Sequence, residues 1–194
     1  RADVRRELGI ADNDFVFVFV GRVVRDKGIN ELIQAMRTLV RRHDNCRLLI
    51  VGRYESNLDP IDPENERFIA DDRHINHVGW QRDVRPFLMA ADALAFPSYR
   101  EGFPNVVMQA GAMGLPSIVT DINGCNEIIV EGKNGRIIEP QNAEQLTDMM
   151  EWFIEHPAEV KSMAANVRQM IVSRYQRQII WDELLRVYNS APRR

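Results

Sequence analysis

The sequence of 194 residues lacks the features of membrane-spanning and disulfide-stabilised proteins. Its most membrane-like apolar run, FVFVFV at Phe15 to Val20, is far shorter than the roughly 20 residues that a spanning helix needs. Two cysteines, Cys46 and Cys125, are too few for a disulfide framework and fit a reducing compartment. We find no signal-peptide pattern and therefore expect a cytoplasmic protein.

The sequence also lacks an excess of charge of either sign. It has 25 basic and 28 acidic residues, a formal net charge of −3, and 45% hydrophobic residues. This composition is typical of a globular domain, and it predicts no nucleic-acid partner because such proteins carry a basic surplus. Two phosphate-binding signatures, the Walker motif and GxGxxG, are absent as well.

Short apolar runs alternate with helical patterns along most of the chain. The predicted strands are Phe15–Val20, Cys46–Gly52, Ile75–Trp80, Ala93–Ser98, Ser117–Thr120 and Arg136–Ile138, and a Pro- and Asp-rich loop, Ser56–Asn65, precedes the third. Parallel neighbours need crossover helices, and such crossovers are right-handed. We therefore predict an α/β protein with a Rossmann-like, doubly wound parallel sheet of about six strands.

From Ala143 onward the pattern is helical only. Apolar residues form three stripes at helical spacing: Leu146, Met149, Met150 and Phe153; Val160, Met163, Ala164, Val167 and Ile171; and Ile180, Leu184, Val187 and Tyr188. We interpret the methionine stripes as core rather than as a cofactor site, because methionine fills gaps in apolar cores. Residues 1–194 are thus predicted to form a single domain.

The first candidate site follows the first predicted strand, in GRVVRDKG at Gly21–Gly28. Open parallel sheets bind ligands beyond the carboxyl ends of their strands, which is where this loop lies. Gly21 permits a sharp turn, Arg22 offers a planar fork of donors and Lys27 adds a point charge. The loop resembles half of a diphosphate clamp; alternatively, both cations are simply solvated.

The second candidate is YREGFPNVVMQAGAMGLP, Tyr99–Pro116, after the fourth predicted strand. A helix starts within it, and Asn105 is predicted to cap that helix while the amides of Asn105, Val106 and Val107 face an anion. Glu101 in the same turn would repel a phosphate directly above it. We therefore expect Glu101 to face a neutral, hydroxyl-bearing group attached to the phosphate, as in a phosphorylated sugar.

A third candidate lies in VGRY and VGWQRD, which follow the second and third predicted strands. Arg53, Trp80 and Gln81 are predicted to form a slot for a planar base. The alternative is that both segments are ordinary turns between strands and helices.

Two other residue pairs resemble metal ligands. Asp12 and Asp14 precede the first strand and so lie at the wrong end of the sheet, and we interpret them as turn and cap residues. His74 and His77 have no third ligand in view, so we predict no metal site. The basic tail, Ala191–Arg194, is expected to be frayed.

Four segments together resemble part of a known enzyme family: VGRVVRDKG, LLIVG, ADALAFPSYREGFPNVVMQAGAMGLPSIVT and NGCNEIIVEGKNGRII. They look like the C-terminal, donor-binding domain of retaining glycosyltransferases of the GT-B fold, in family four (group 1). The likeness extends from about Phe15 to the last helix, and it implies that the chain is one half of a GT-B architecture.

The resemblance implies a role for each matching residue. Glu101 would be the catalytic residue. Its carboxylate would bond hydroxyls of the transferred sugar, beside Gly102 and Phe103, and stabilise positive charge near the anomeric carbon. The family's second acid, eight positions later, would bind ribose, but this chain has Gln109 there. The implied diphosphate-binding set is Gly21, Arg22, Lys27, Asn105, Val106 and Val107.

The implied reaction transfers a sugar from a nucleotide diphosphate sugar to a saccharide or lipid-linked acceptor in polysaccharide biosynthesis, without a metal or other cofactor. The resemblance also implies a missing N-terminal, acceptor-binding domain on which the C-terminal helix, residues 173–194, would pack. We expect this chain alone to bind nucleotide without activity, and membrane contact at the inner face to come through the missing half. The alternatives are a nucleotide-sugar epimerase and a non-catalytic nucleotide-sugar-binding module.

Overall fold

The structure is a computed structural model that describes residues 1–55, 57 and 59–190. Its centre is a six-stranded sheet in which all neighbouring strands are parallel, in the order β3-β2-β1-β4-β5-β6. The strands are β1 (Phe15–Val20), β2 (Cys46–Val51), β3 (Ile75–His77), β4 (Ala93–Phe96), β5 (Ser117–Thr120) and β6 (Gly135–Ile138). The predicted Rossmann-like sheet is therefore confirmed.

Helices connect the strands and continue the chain beyond the sheet. They are α1 (Ala2–Glu7), α2 (Ile29–Leu39), α3 (Pro63–Asp71), α4 (Arg85–Ala90), α5 (Asn105–Ala112), α6 (Cys125–Ile128), α7 (Ala143–Glu155), α8 (Pro157–Tyr175) and α9 (Arg177–Ser190). A 3₁₀ turn, Arg25–Lys27, precedes α2. None of the described helices has both the length and the apolar composition needed to cross a membrane.

The inner strands are buried along nearly their whole length, which explains their unbroken apolar sequence. In β1 the four residues from Val16 to Phe19 are fully buried, and in β4 and β5 every residue is buried. Strands of a parallel sheet are covered by helices on both faces, so they do not alternate between apolar and polar residues. β1 and β2 pair along their whole length, from Phe15 opposite Cys46 to Val20 opposite Val51.

The structure differs from the sequence predictions at the third strand. β3 ends at His77 because Gly79 adopts a left-handed φ of 68°, which a strand cannot continue through. The first two helical stripes are largely buried, but the third, on α9, is exposed to solvent. Ser56 and Leu58 of the predicted loop, and the tail Ala191–Arg194, lie outside the described residues.

A buried arginine closes the amino end of the sheet. Arg5 donates to the carbonyl of Asp14 at 3.1 Å and pairs with the carboxylate of Asp92 at 2.8 Å. The Asp14 carboxylate accepts from the Ala11 amide and from Arg47, at 2.8 and 2.9 Å. Asp14 thus lies at the amino end of the sheet, as expected, and its carboxylate has structural partners there. A cavity of about 700 Å³ also opens at this end.

Candidate functional site

The site forms where the strand connections reverse direction. β1 and β4 are neighbours in the sheet, but the chain leaves β1 toward β2 and leaves β4 toward β5. Loops after two such strands diverge and leave a crevice at the carboxyl ends, where open α/β sheets bind ligands. The predicted segments Gly21–Gly28 and Tyr99–Pro116 follow these two strands, so the structure brings them together.

Gly28 sets the distance between the two loops. Its φ is 72°, and a Cβ added to it would lie 2.0 Å from the carbonyl oxygen of Pro97. Glycine is therefore required twice, by the left-handed backbone and by the close approach. The Tyr99 amide donates to the Asp26 carbonyl at 2.9 Å and reinforces the contact. Lys27, between Asp26 and Gly28, is thereby carried to the end of β4.

Lys27 and Glu101 form an ion pair across the crevice. The Lys27 Nζ lies 2.7 Å from the Glu101 Oε1, and the Ser98 hydroxyl donates to the same oxygen at 2.9 Å. Their side chains are only 14% and 17% exposed. Within the part of the chain that the structure describes, the Glu101 Oε2 accepts no hydrogen bond, so one carboxylate oxygen is available to a ligand.

The turn that carries Glu101 rests on the start of α6. Gly124 has a φ of 76°, and a Cβ there would lie 2.6 Å from the carbonyl oxygen of Gly102. Behind it, burial and the charge of Glu101 raise the pKa of the Cys125 thiol to about 12. This thiol therefore stays protonated at neutral pH and is not a candidate nucleophile.

The start of α5 offers fewer donors than the sequence predicts. Pro104 occupies the N-cap position and no side chain caps the helix, so the predicted capping by Asn105 is wrong: Asn105 is already the first helical residue. The Val107 amide donates to the Pro104 carbonyl at 3.1 Å and is not available to an anion. Among the described residues, the amides of Asn105 and Val106 have no acceptor, which leaves two donors at the helix start.

A second cleft opens beside the first, at the ends of β1 and β2. Its volume is about 410 Å³, and its lining includes Arg22, Arg53, Trp80 and Gln81. The Trp80 side chain is 60% exposed, and the Arg53 guanidinium lies 5.5 Å from its ring centroid. The structure thus brings all three residues predicted for a base into one cleft with Arg22.

Glu55 belongs to this cleft, and sequence reasoning missed it. Its carboxylate accepts from Arg22 at 3.1 Å, across 33 positions of sequence. The only signal in the sequence is an acid directly after VGRY, a segment already considered for the base. The Arg22 side chain is 46% exposed, and partly solvated pairs contribute only about 0.2–1 kcal/mol. The pair therefore holds Arg22 only weakly.

Three of the predicted site residues, Gly102, Phe103 and Gln109, are exposed at the surface. Gln109 makes no side-chain hydrogen bond in the described part of the chain. Phe103 is 40% exposed, and its ring packs edge-on against Tyr175 with 5.5 Å between centroids.

The two histidines considered as metal ligands have separate partners. The His74 Nδ1 lies 2.7 Å from a carboxylate oxygen of Asp72, whereas the His77 Nε2 lies 2.7 Å from the carbonyl oxygen of Gly52. Each ring is thus engaged in its own structural hydrogen bond.

Comparison with known proteins decides the family. A family model described as "Glycosyl transferases group 1" matches residues 1–170. The chain belongs to the group 1 glycosyltransferases. The resemblance carried by the four sequence segments is confirmed at this level.

Relatives of this group 1 glycosyltransferase include longer proteins and one isolated domain. The capsular polysaccharide biosynthesis glycosyltransferase CapM of Staphylococcus aureus is 31% identical over 181 residues, covering 93% of this chain and 47% of CapM. Anabaena HepE has a TM-score of 0.89 and 22% identity, covering 98% of this chain and 52% of HepE. The C-terminal domain of the Francisella tularensis group 1 protein LpcC has a TM-score of 0.80 and 23% identity, covering 92% of this chain and 94% of that domain.

These comparisons define what the chain corresponds to. The two structural likenesses, at their low identities, establish the fold alone. The chain spans about half the length of the curated relatives it matches, and nearly the whole of an isolated C-terminal domain from the same family.

We expect Gly28→Ala to lower the free energy of unfolding by about 3 kcal/mol or more, because a left-handed backbone and a clash with Pro97 are combined there. Gly114→Ala is the matched control: its φ is 87°, but nothing lies within 4 Å of an added Cβ. There we expect only the conformational cost of about 1–2 kcal/mol. Chemical denaturation measures both, and equal losses would show that the Pro97 contact does not constrain the loop.

Proposed function

We propose that the chain is the donor-binding half of a retaining glycosyltransferase, which moves a sugar from a nucleotide diphosphate sugar to a saccharide or lipid-linked acceptor. The observation that carries this proposal is the Lys27–Glu101 pair at the switch point of the sheet. A cation and a carboxylate in contact match the two adjoining parts of a sugar diphosphate, its anionic phosphate and its hydroxyl-bearing ring. Membership of the family supports the reaction class.

In this proposal the diphosphate replaces the carboxylates that hold the two cations. Lys27 leaves Glu101 and binds phosphate oxygens, and Arg22 likewise leaves Glu55 for phosphate oxygens. The amides of Asn105 and Val106 add two donors at the positive end of α5. Negative charge grows on the departing phosphate as its bond to the anomeric carbon breaks, so these fixed donors stabilise the transition state more than the bound substrate.

Glu101, released from Lys27, would then bond hydroxyls of the transferred sugar. The Ser98 hydroxyl holds the Oε1 of Glu101 at 2.9 Å, so the carboxylate keeps its position when Lys27 turns to the phosphate. Its negative charge would also stabilise positive charge at the anomeric carbon. The acceptor hydroxyl oxygen forms its bond to the anomeric carbon on the face that the phosphate leaves, and its proton passes to the departing phosphate oxygen, so the configuration is retained. We include no metal or other cofactor, because Arg22 and Lys27 supply the positive charge.

A uridine nucleotide is our first choice of donor. Structures of HepE were solved with UDP and with UDP-glucose, and the name of CapM refers to capsular polysaccharide biosynthesis. In this chain the exposed face of Trp80 would stack on the base, and the Arg53 guanidinium would extend that surface. We therefore propose that the chain serves polysaccharide assembly with a UDP-sugar.

We propose that the rest of a longer protein supplies the acceptor site. α9 has no buried residue, and Ile180, Trp181, Leu184 and Leu185 on it are each at least 45% exposed. A contiguous apolar surface of this kind marks a contact with another domain. We assign the chain to the cytoplasm, and we assign any contact with the inner face of the membrane to the remainder of the protein.

Calorimetric titration of the chain with UDP, GDP and ADP tests the site. We expect one nucleotide to bind, with Arg22→Ala and Lys27→Ala each weakening it about tenfold or more, because a charged hydrogen bond contributes about 1.5–3 kcal/mol. Arg41→Ala, an exposed cation at the end of α2, is the control and should leave affinity unchanged. Binding that is equally weak in all three variants would contradict the assignment of the site.

Gln109 replaces the acid that the family resemblance assigns to ribose. A glutamine still accepts from a ribose hydroxyl, but the bond is neutral and weaker by about 1 kcal/mol. We expect Gln109→Glu to tighten nucleoside diphosphate binding several-fold in the same titration. Gln145→Glu, on α7, provides a matched exchange away from the crevice. If Gln109→Glu and the control have the same affinity, Gln109 does not contact ribose.

Glu101→Gln separates binding from catalysis in the complete enzyme. We expect turnover to fall on the order of 100-fold or more, because the charge that stabilises the anomeric carbon is lost. Nucleotide affinity should be unchanged or higher, because Lys27 is no longer held by a carboxylate. Steady-state kinetics and calorimetry on one preparation measure both quantities, and a loss confined to affinity would reverse the roles of Lys27 and Glu101.

A further inference from the structure

A histidine and two glutamates meet where α2 and α7 end, in a cluster that the donor crevice does not include. His43 follows α2, and Glu151 and Glu155 lie one turn apart near the end of α7. Each residue offers one ligand atom, and these atoms all lie within 4.8 Å of one another. The His43 Nε2 and the Glu151 Oε1 are 2.9 Å apart. We call these three residues the α2–α7 cluster.

Two members of the cluster are held in place by the protein. The His43 amide donates to the Leu39 carbonyl at 2.8 Å, which fixes the residue to the end of α2. Arg42 donates to the Glu151 Oε2 at 2.8 Å, which leaves Oε1 toward the imidazole. Hydrogen bonds of this kind commonly orient carboxylates that bind metals.

Glu155 is the one member of the cluster that forms no ion pair with a described residue. It is exposed, and within the described residues it has no ion-pair partner, whereas Arg42 and His43 both engage Glu151. Glutamates four positions apart on a helix repel each other and destabilise it. A cation bound by both carboxylates would turn this repulsion into attraction.

We propose that the α2–α7 cluster binds a divalent transition metal, with Zn²⁺ as the best match. One imidazole nitrogen and two carboxylate oxygens make a three-ligand set, and water would complete a tetrahedron. Bonds of about 2.0–2.2 Å place such ligand atoms roughly 3.5 Å apart. The present ligand atoms lie within 4.8 Å of one another, and Glu155 is exposed, so binding would require its side chain to move closer. Mg²⁺ and Ca²⁺ prefer oxygen ligands only, so the imidazole selects against them.

A bound ion would join two helices at one end. α2 begins at Ile29, directly after Lys27 and Gly28, and His43 is hydrogen-bonded to Leu39 at its other end. Zinc would therefore anchor to α7 the helix whose first turn adjoins the donor loop. The three residues make one set of ligands, so we expect one ion per chain. This site rests on residues outside the donor crevice and does not depend on the proposed function.

Calorimetric titration of the metal-free chain with Zn²⁺ tests the site. We expect one ion per chain, with binding at least tenfold weaker in Glu155→Gln and in His43→Gln. Glu144→Gln removes an exposed carboxylate at the opposite end of α7 and should leave zinc affinity unchanged. Mg²⁺ at the same concentrations should not bind.

Thermal unfolding provides a second measurement that does not rely on His43→Gln. Zinc should raise the Tm of the parent chain and of Glu144→Gln, because an ion that binds only the folded state stabilises it. Glu155 is exposed, so Glu155→Gln should fold normally and show a smaller shift. No zinc binding by the parent chain, or equal affinity in Glu155→Gln and Glu144→Gln, would overturn the proposal.

Discussion

The crevice between the loops after β1 and β4 depends on the close approach of two backbone segments, at Gly28 and at the carbonyl of Pro97. Because Gly28 has no Cβ, the loop after β1 can lie directly on the end of β4. Lys27 thereby reaches Glu101, which lies 74 positions later in the sequence. Neighbouring parallel strands supply the framework, since β1 and β4 meet only where the strand order reverses. A side chain at position 28 would separate the cation from the carboxylate, and the crevice would lose its chemistry while the sheet kept its strand order.

In the described structure Arg22 and Lys27 are each paired with a carboxylate. The two ion pairs differ in how much free energy it costs to break them. Arg22 and Glu55 are partly solvated, so a ligand displaces that pair easily. Lys27 and Glu101 are more buried, and a ligand that takes Lys27 leaves a carboxylate without its cation. In the proposed function a sugar phosphate would compensate for that loss, because it would supply hydroxyls to Glu101 as it supplied oxygens to Lys27.

Much of the fold could be predicted from the sequence because each buried strand is an unbroken apolar run bounded by glycine or polar residues. The crevice could be placed for the same reason, since Gly21, Arg22 and Glu101 follow strands whose carboxyl ends meet at one edge. Glu55 could not be predicted, because its pairing with Arg22 depends on the course of the loop after β2. The Val107 amide was assigned to an anion because the sequence does not show that Pro104 becomes the N-cap. The apolar stripe of α9 does not itself show what covers it; only the family resemblance suggested that its partner lies outside this chain.

The exposed stripe of α9 also affects how the helix holds its structure. Isolated helices of about this length are marginal in water, and most helical stability in proteins comes from packing of an apolar face. α9 spans 14 residues and contributes none to the core of the described chain. Its amide protons would therefore exchange with solvent much faster than those of α2 or α8, and would slow once a neighbouring domain covered the stripe. Hydrogen exchange of the α9 amides would therefore show, without any added label, whether another domain covers the helix.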